Sequence, residues 1–397
     1  MKYKFAKRMD LMKASAVREI LKVTQRPDII SFAGGLPAPE LFPVDEISKV
    51  CVDVCKEEGR KVLQYATTEG NPSLRGKIAD RQNRIYKSSL KAENILITIG
   101  SQQNLDLAAK VFLQEDSVVL MESPTYLAAI NAFKPTGCTF KEVPCDGEGM
   151  IPEELEKILA STPNVQLIYV IPDFQNPTGI CWTRERREKF MALVNQYEVP
   201  VLEDNPYGEL RYEGETLPSL LSMDTKNLVM GMGTFSKTFC PGLRIGWLAA
   251  PVEILTEFVK CKQSSDLHTS AFDQAIIDKY MDEFSLDAHV KEINDLYRHR
   301  RDLIIKCMEE KFKDGTTWTH PHGGLFLWLT FPEGVSARKV FDKCIEKKVA
   351  AVLGEPFYPN GNNDHHMRVN YSNMPDDRII EGISRMAEAL KEVKAGK

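Results

Sequence analysis

The chain has no apolar run approaching the roughly 20 residues that a membrane-spanning helix needs. It has no secretory signal at its start and no basic cluster within a formal net charge of −5, so neither a membrane nor nucleic acid is an expected partner. Its nine cysteines are an odd number, which argues against a complete disulfide framework and for a reducing, cytoplasmic setting. Metal chemistry is poorly provided for. Cys51 and Cys55 are helically spaced, but no second Cys or His pair stands nearby, and His365-His366 reads as a polar loop. Gly231-Met232-Gly233-Thr234-Phe235-Ser236 follows a strand pattern like a dinucleotide fingerprint. Serine stands at its third position and a Pro-Gly loop follows in place of a long helix, so a nicotinamide cofactor is not expected.

What is present fits a globular protein of more than one core: 397 residues, 43% hydrophobic and 27% charged. Strand patterns near 95–99, 117–121, 138–143, 166–171, 199–203, 227–232 and 244–249 alternate mostly with helical stretches. That alternation predicts an α/β fold with a mostly parallel, seven-stranded sheet covered on both faces. A long helical pattern near 281–313 then leads to a smaller, discontinuous α+β domain. The expected division is an N-terminal arm and helix at 1–40, a large domain at 41–290 and a C-terminal small domain at 291–397. Within the last, Gly323-Gly324 precedes a buried strand, Ser336 caps a helix over 337–348, and strands follow at 349–353 and 367–371.

The chemistry gathers in Gly233-Thr234-Phe235-Ser236-Lys237-Thr238-Phe239-Cys240-Pro241-Gly242-Leu243-Arg244. A desolvated lysine amine condenses with an aldehyde, small alcohols donate to phosphate oxygens, and an arginine fork holds a phosphate. A solvated Ser-Lys-Thr loop is the competing reading of this segment alone. Other strand ends add complementary pieces. Pro172-Asp173-Phe174-Gln175-Asn176-Pro177-Thr178-Gly179 and Glu203-Asp204-Asn205-Pro206-Tyr207 both follow apolar runs, at the end where α/β sheets bind ligands. Gly100-Ser101-Gln102-Gln103 lies between a strand and a helix, so its backbone N–H groups form an anion site.

Taken in order, these stretches resemble the fold-type I, pyridoxal-phosphate-dependent aminotransferases of class I/II, most of all the 2-aminoadipate, kynurenine and aromatic branch. The resemblance rests on Ser31 to Pro37, Gln64-Tyr65 through Gly70, Gly100 to Gln103, Asn176 to Gly179, Asp204 to Tyr207, Ser236-Lys237, Pro241 to Arg244 and Met367-Arg368. It implies pyridoxal 5′-phosphate as cofactor, with Lys237 as Schiff-base lysine and proton shuttle and Asp204 as partner of the ring nitrogen. Asn176 and Tyr207 are then donors to the phenolic oxygen, and Tyr126 stacks on the ring. Ser101, Gln102, Ser236 and Arg244 hold the phosphate, with Tyr65 reaching across a homodimer to the neighbouring subunit's phosphate.

For the substrate, the resemblance places Arg368 on the α-carboxylate with Asn176 close to it. Gly35, with Gly34, suggests close backbone approach to a substrate, which a tight turn explains equally. Arg18 matches an arginine on a mobile N-terminal helix that receives a distal carboxylate, although an amphipathic helix needs such a charge on its wet face anyway. The implied reaction is a ping-pong amino transfer from a 2-aminoadipate, aromatic or aliphatic amino acid to a 2-oxo acid, with 2-oxoglutarate expected as acceptor. A lyase or decarboxylase of the same fold would use the same lysine, aspartate and phosphate cradle. Aminotransferase-like domains also occur fused to helix-turn-helix regulators, but this chain enters the cofactor fold almost at once and leaves no room expected for such a module.

Overall fold

The computed structural model describes residues 3–12, 26, 28–313, 315–361 and 363–396. Its strands are β1 (Ile30–Ser31), β2 (Ile95–Thr98), β3 (Val118–Ser123), β4 (Thr139–Asp146), β5 (Gly149–Met150), β6 (Val165–Val170) and β7 (Val201–Asp204). They continue as β8 (Val229–Thr234), β9 (Gly246–Ala249), β10 (Thr317–Trp318), β11 (Phe326–Thr330), β12 (Val349–Ala350), β13 (Val352–Leu353) and β14 (His366–Asn370). The large sheet runs in the order β2-β9-β8-β7-β6-β3-β4-β5. Neighbours from β8 through β4 pair in parallel, while β9 is antiparallel to both β2 and β8.

Alternation along these strands explains why both faces are covered. Val119, Met121, Leu167, Tyr169 and Leu202 enter one buried cluster, beside helices Gly100–Phe112 and Val252–Ser265. Their neighbours Leu120, Ile168, Val170 and Val201 enter another on the opposite face, beside helix Arg184–Tyr197. The sheet has eight strands where the apolar pattern predicts seven. The extra one, β5, is two residues long and folds back antiparallel on β4, too short to register as a separate apolar run.

A second sheet of order β10-β11-β14-β13 is antiparallel, and β1 pairs in parallel with β12. The run 349–353, expected as one strand, is therefore two: the chain passes from one sheet to the other at Ala351. The long helix is shorter than its sequence pattern. Ala271–Glu283 ends, Ser285 accepts from the backbone N–H of Ala288 as N-cap, and Leu286–Lys311 begins anew. Ser336 caps Ala337–Glu346 in the same way, through Lys339. His366 is not loop: it opens β14 and stacks on Trp328 with ring centroids 5.2 Å apart, and burial lowers its pKa to about 4.

The pairing of β1 with β12 carries Ile30 and Phe32 into a core otherwise built mainly from residues after 290. There they meet Gly382 on helix Asp376–Lys394, where an added Cβ would stand 2.5 Å from the Phe32 ring. Gly382→Ala should therefore cost about 1–3 kcal/mol through overpacking, read as a lower denaturation midpoint. An unchanged midpoint would contradict the contact.

Candidate active site

The carboxyl ends of the parallel strands converge on one cavity of about 180 Å³. Ser101, Gln102, Tyr126, Asn176, Asp204, Tyr207, Ser236, Lys237 and Arg244 all line it. They arrive from five segments: the first helical turn after β2, the loops after β3 and β6, the end of β7 with the turn that follows it, and the loop between β8 and β9.

Lys237 lies three residues beyond β8, and its Nζ donates to the Gly35 carbonyl at 2.7 Å. Enclosure first, then the positive charges of Arg368 and Arg244, lower its pKa to about 8. At that value an appreciable share of the amine is neutral near physiological pH. Asp204 closes β7 and is 2% exposed. Its Oδ2 accepts from the Tyr169 hydroxyl at 2.7 Å, while Oδ1 has no partner among the described residues. Burial raises its pKa to about 7, with the Tyr169 hydrogen bond opposing the rise.

On the adjoining wall, Asn176 Oδ1 accepts from Arg368 Nη1 at 2.7 Å, and Asn176 Nδ2 points to the Tyr207 hydroxyl at 3.4 Å. Arg368 Nη2 donates to the Ala33 carbonyl at 2.7 Å, and its Nε has no partner. The guanidinium lies over the Phe326 ring at 4.1 Å and the Phe357 ring at 5.1 Å. Burial lowers its pKa to about 10, so it remains charged at neutral pH. Among the described residues no carboxylate pairs with it, and both its acceptors are neutral.

The opposite end is built for an anion. Helix Gly100–Phe112 starts without a side-chain cap, leaving the N–H groups of its first turn free to face a ligand. Thr234 Oγ1 and Ser236 Oγ are 2.9 Å apart, and Arg244 Nη1 approaches Ser236 Oγ at 3.4 Å. Gly100 has φ +66°, and a Cβ there would lie 2.6 Å from the Arg244 guanidinium, so only glycine lets the arginine this close.

Gly35 touches the site through its carbonyl, and a Cβ on it would stand 2.9 Å from the Phe326 ring. Tyr65 is 79% exposed, edge-on to His268 and outside the cavity. Arg18 and the helix expected around it lie outside the described residues. Cys240 is no nucleophile here, since burial pushes its thiol up to about 11. Three residues of the site escape the sequence pattern: Tyr169 and Phe326, which read as apolar strand residues, and Phe357, to which no motif points.

Pyridoxal phosphate presents an aldehyde, a ring nitrogen, a phenolic oxygen and a phosphate, and the residues present fit all four. Lys237 supplies a partly neutral amine. The free Oδ1 of Asp204 is a buried acceptor without a donor, and Asn176 and Tyr207 offer N–H and O–H groups. The first turn at Ser101 and Gln102, with Ser236 and Arg244, is a cationic cradle.

Comparison with known proteins agrees with this geometry. Residues 28–386 match the family model described as aminotransferase class I and II. The chain is 42% identical over 385 residues to an aromatic-amino-acid aminotransferase of Thermococcus litoralis, covering 96% of this chain and 92% of that one. The α-aminoadipate aminotransferase of Thermus thermophilus, solved with N-(5′-phosphopyridoxyl)-L-leucine, is 36% identical with a TM-score of 0.93, over 99% of this chain and 98% of that one. The kynurenine aminotransferase of Pyrococcus horikoshii is 40% identical with a TM-score of 0.94, over 98% and 97%. The chain belongs to the class I and II aminotransferases and is a pyridoxal-phosphate-dependent enzyme of fold type I.

Proposed function

We propose that the cavity carries amino transfer from a broad set of amino acids, of 2-aminoadipate, aromatic or aliphatic type, to a 2-oxo acid, with 2-oxoglutarate as acceptor. The observation that carries this reading is the placement of a pKa-lowered Lys237 in one cavity with Asp204, beside an Arg368 that has no anionic partner among the described residues. Pyridoxal phosphate, when bound, supplies the aldehyde that takes up the amino group and the ring that accepts electrons from the substrate α-carbon.

Lys237 Nζ takes the proton from the substrate α-carbon and returns it on the other side of the transfer. Asp204 Oδ1 keeps a proton on the ring nitrogen, and Tyr169 holds the other oxygen of that carboxylate in place. Asn176 and Tyr207 donate to the phenolic oxygen, and Tyr126 covers the ring face. Ser101, Gln102, Ser236 and Arg244 hold the phosphate. Arg368, steadied by Asn176, Ala33, Phe326 and Phe357, grips the α-carboxylate through its planar fork. Gly35 keeps the substrate side open.

We further propose a homodimer in which Tyr65 completes the phosphate site of the neighbouring subunit. Its exposure, with that of Leu63 two residues before it, supports a covered surface there. Arg18 is the candidate for a distal carboxylate. The division into a large domain at 41–290 and a small one from 1–40 and 291–397 fits the pairing of β1 with β12. Nine free cysteines fit a cytoplasmic setting, and no helix among the described residues is long and apolar enough to cross a membrane. The family and its named relatives favour transfer over the lyase alternative.

Turnover in amino-donor and 2-oxo-acid pairs should give parallel initial-rate lines, and Lys237→Ala should abolish it; an active Lys237→Ala enzyme would falsify the assignment. Asp204→Ala should keep the folded protein but lose about a hundredfold or more in kcat, and full turnover would remove its role. Capture of cofactor by the stripped protein should rise with pH and reach half its maximum near the lysine pKa of about 8. Because Arg244 contributes to that lowering, Arg244→Gln should move the midpoint upward. A midpoint near the ordinary lysine value in the unmodified protein would contradict the desolvated amine.

A further inference from the structure

Glu122 lies near the end of β3, fully enclosed and outside the cavity wall. Its Oε2 accepts the backbone N–H of Ile171 at 2.9 Å, and its Oε1 accepts the indole N–H of Trp182 at 3.0 Å. The side-chain amide of Gln175 lies against the same carboxylate. These three groups mark the start, middle and end of one loop, and that loop carries Asn176. Gln175 also donates to the Pro124 carbonyl at 2.8 Å, tying the loop a second time to the segment that follows β3. Trp182 packs directly on Gly149, where an added Cβ would lie 2.2 Å from its ring.

A carboxylate is an expensive choice for this place. Among the described residues no cation pairs with it, and burial raises its pKa to about 7 although the surrounding donors oppose the rise. A glutamine would avoid that cost but has one acceptor oxygen, whereas Ile171 and Trp182 present donors to two. What the position uses is the number of acceptors.

We propose that Glu122 is a positioning residue for the transamination, with its two carboxylate oxygens setting the 171–182 loop so that Asn176 meets Arg368 and Tyr207 together. The inference rests on the roles proposed above for Asn176 and Arg368. Glu122 touches neither substrate nor cofactor and acts only through Asn176. A displaced Asn176 therefore disturbs two readouts at once: the KM for the amino donor, through Arg368, and the pKa of the cofactor's visible absorbance, through donation to its phenolic oxygen.

The test uses the holoenzyme with Glu122→Gln, Trp182→Phe and Asn176→Ala, each measured for donor KM, kcat, absorbance pKa and thermal midpoint. Glu122→Gln should raise KM about tenfold, as expected if the displaced Asn176 weakens one charge-assisted hydrogen bond from Arg368 to the substrate carboxylate, and shift the absorbance pKa in the direction Asn176→Ala shifts it. Trp182→Phe removes one of the donors to Glu122 while the carboxylate stays, and should move both readouts the same way by less. If Glu122→Gln lowers only the thermal midpoint while Asn176→Ala moves KM and absorbance, Glu122 is a stabilising residue and the inference fails. Should Glu122→Gln not fold, Trp182→Phe decides, and unchanged KM and absorbance there would overturn the proposal. If Asn176→Ala moves neither readout, the role of Asn176 fails and the inference falls with it.

Discussion

The amine of Lys237 is held out of water next to Arg244 and Arg368, and the site is arranged around that crowding of positive charge. Buried cations are costly unless something negative meets them. Among the described residues the buried Arg368 meets only neutral oxygens, from Asn176 and Ala33, while the exposed Arg244 stands at a helix start that is itself electropositive. The missing negative charge must come from ligands: a phosphate at one end and a carboxylate at the other. Asp204 is the counterweight, an acid with one oxygen tied to Tyr169 and the other waiting for a donor.

The fold makes this arrangement by bringing distant stretches of chain to one edge of a sheet. The parallel strands deliver Tyr126, Asn176, Asp204 and Ser236 from consecutive carboxyl ends, where the loops are free to vary without disturbing the core. Arg368 comes from β14 in the second sheet, and Ala33 and Gly35 from the segment after β1. Contacts between these bodies are close. Phe174, two residues before Asn176, has φ +51° and packs against the backbone of Gly323 and Gly324, where a Cβ would approach it to 2.4 Å and 2.6 Å. A strained aromatic residue held within the site loop ties that loop to the segment leading into β11.

Much of this was legible in the sequence. Lys237, Asp204, Asn176, Tyr207 and Arg244 sit at strand ends in turn-rich segments, and the cavity brings them together. The central strands read correctly to within a few residues because they are buried on both faces and rich in Val, Ile and Leu. Two short features were not legible, the two-residue β5 and the break at Ala351 that divides the expected strand 349–353 into β12 and β13, since both are defined by pairing partners and not by any local pattern. Tyr169 and Glu122 escaped for a related reason. A strand residue's neighbour across the sheet is set by register, so neither the hydroxyl beside Asp204 nor the carboxylate beneath Asn176 leaves a mark along the chain. His366 read as loop because its partner, Trp328, lies on another strand.

The most direct measurement is borohydride reduction of the cofactor-loaded protein followed by peptide mass mapping. One phosphopyridoxyl group per chain is expected, carried by the peptide that contains Lys237. Label on any other lysine, with Lys237 unmodified, would contradict Lys237 as the Schiff-base lysine.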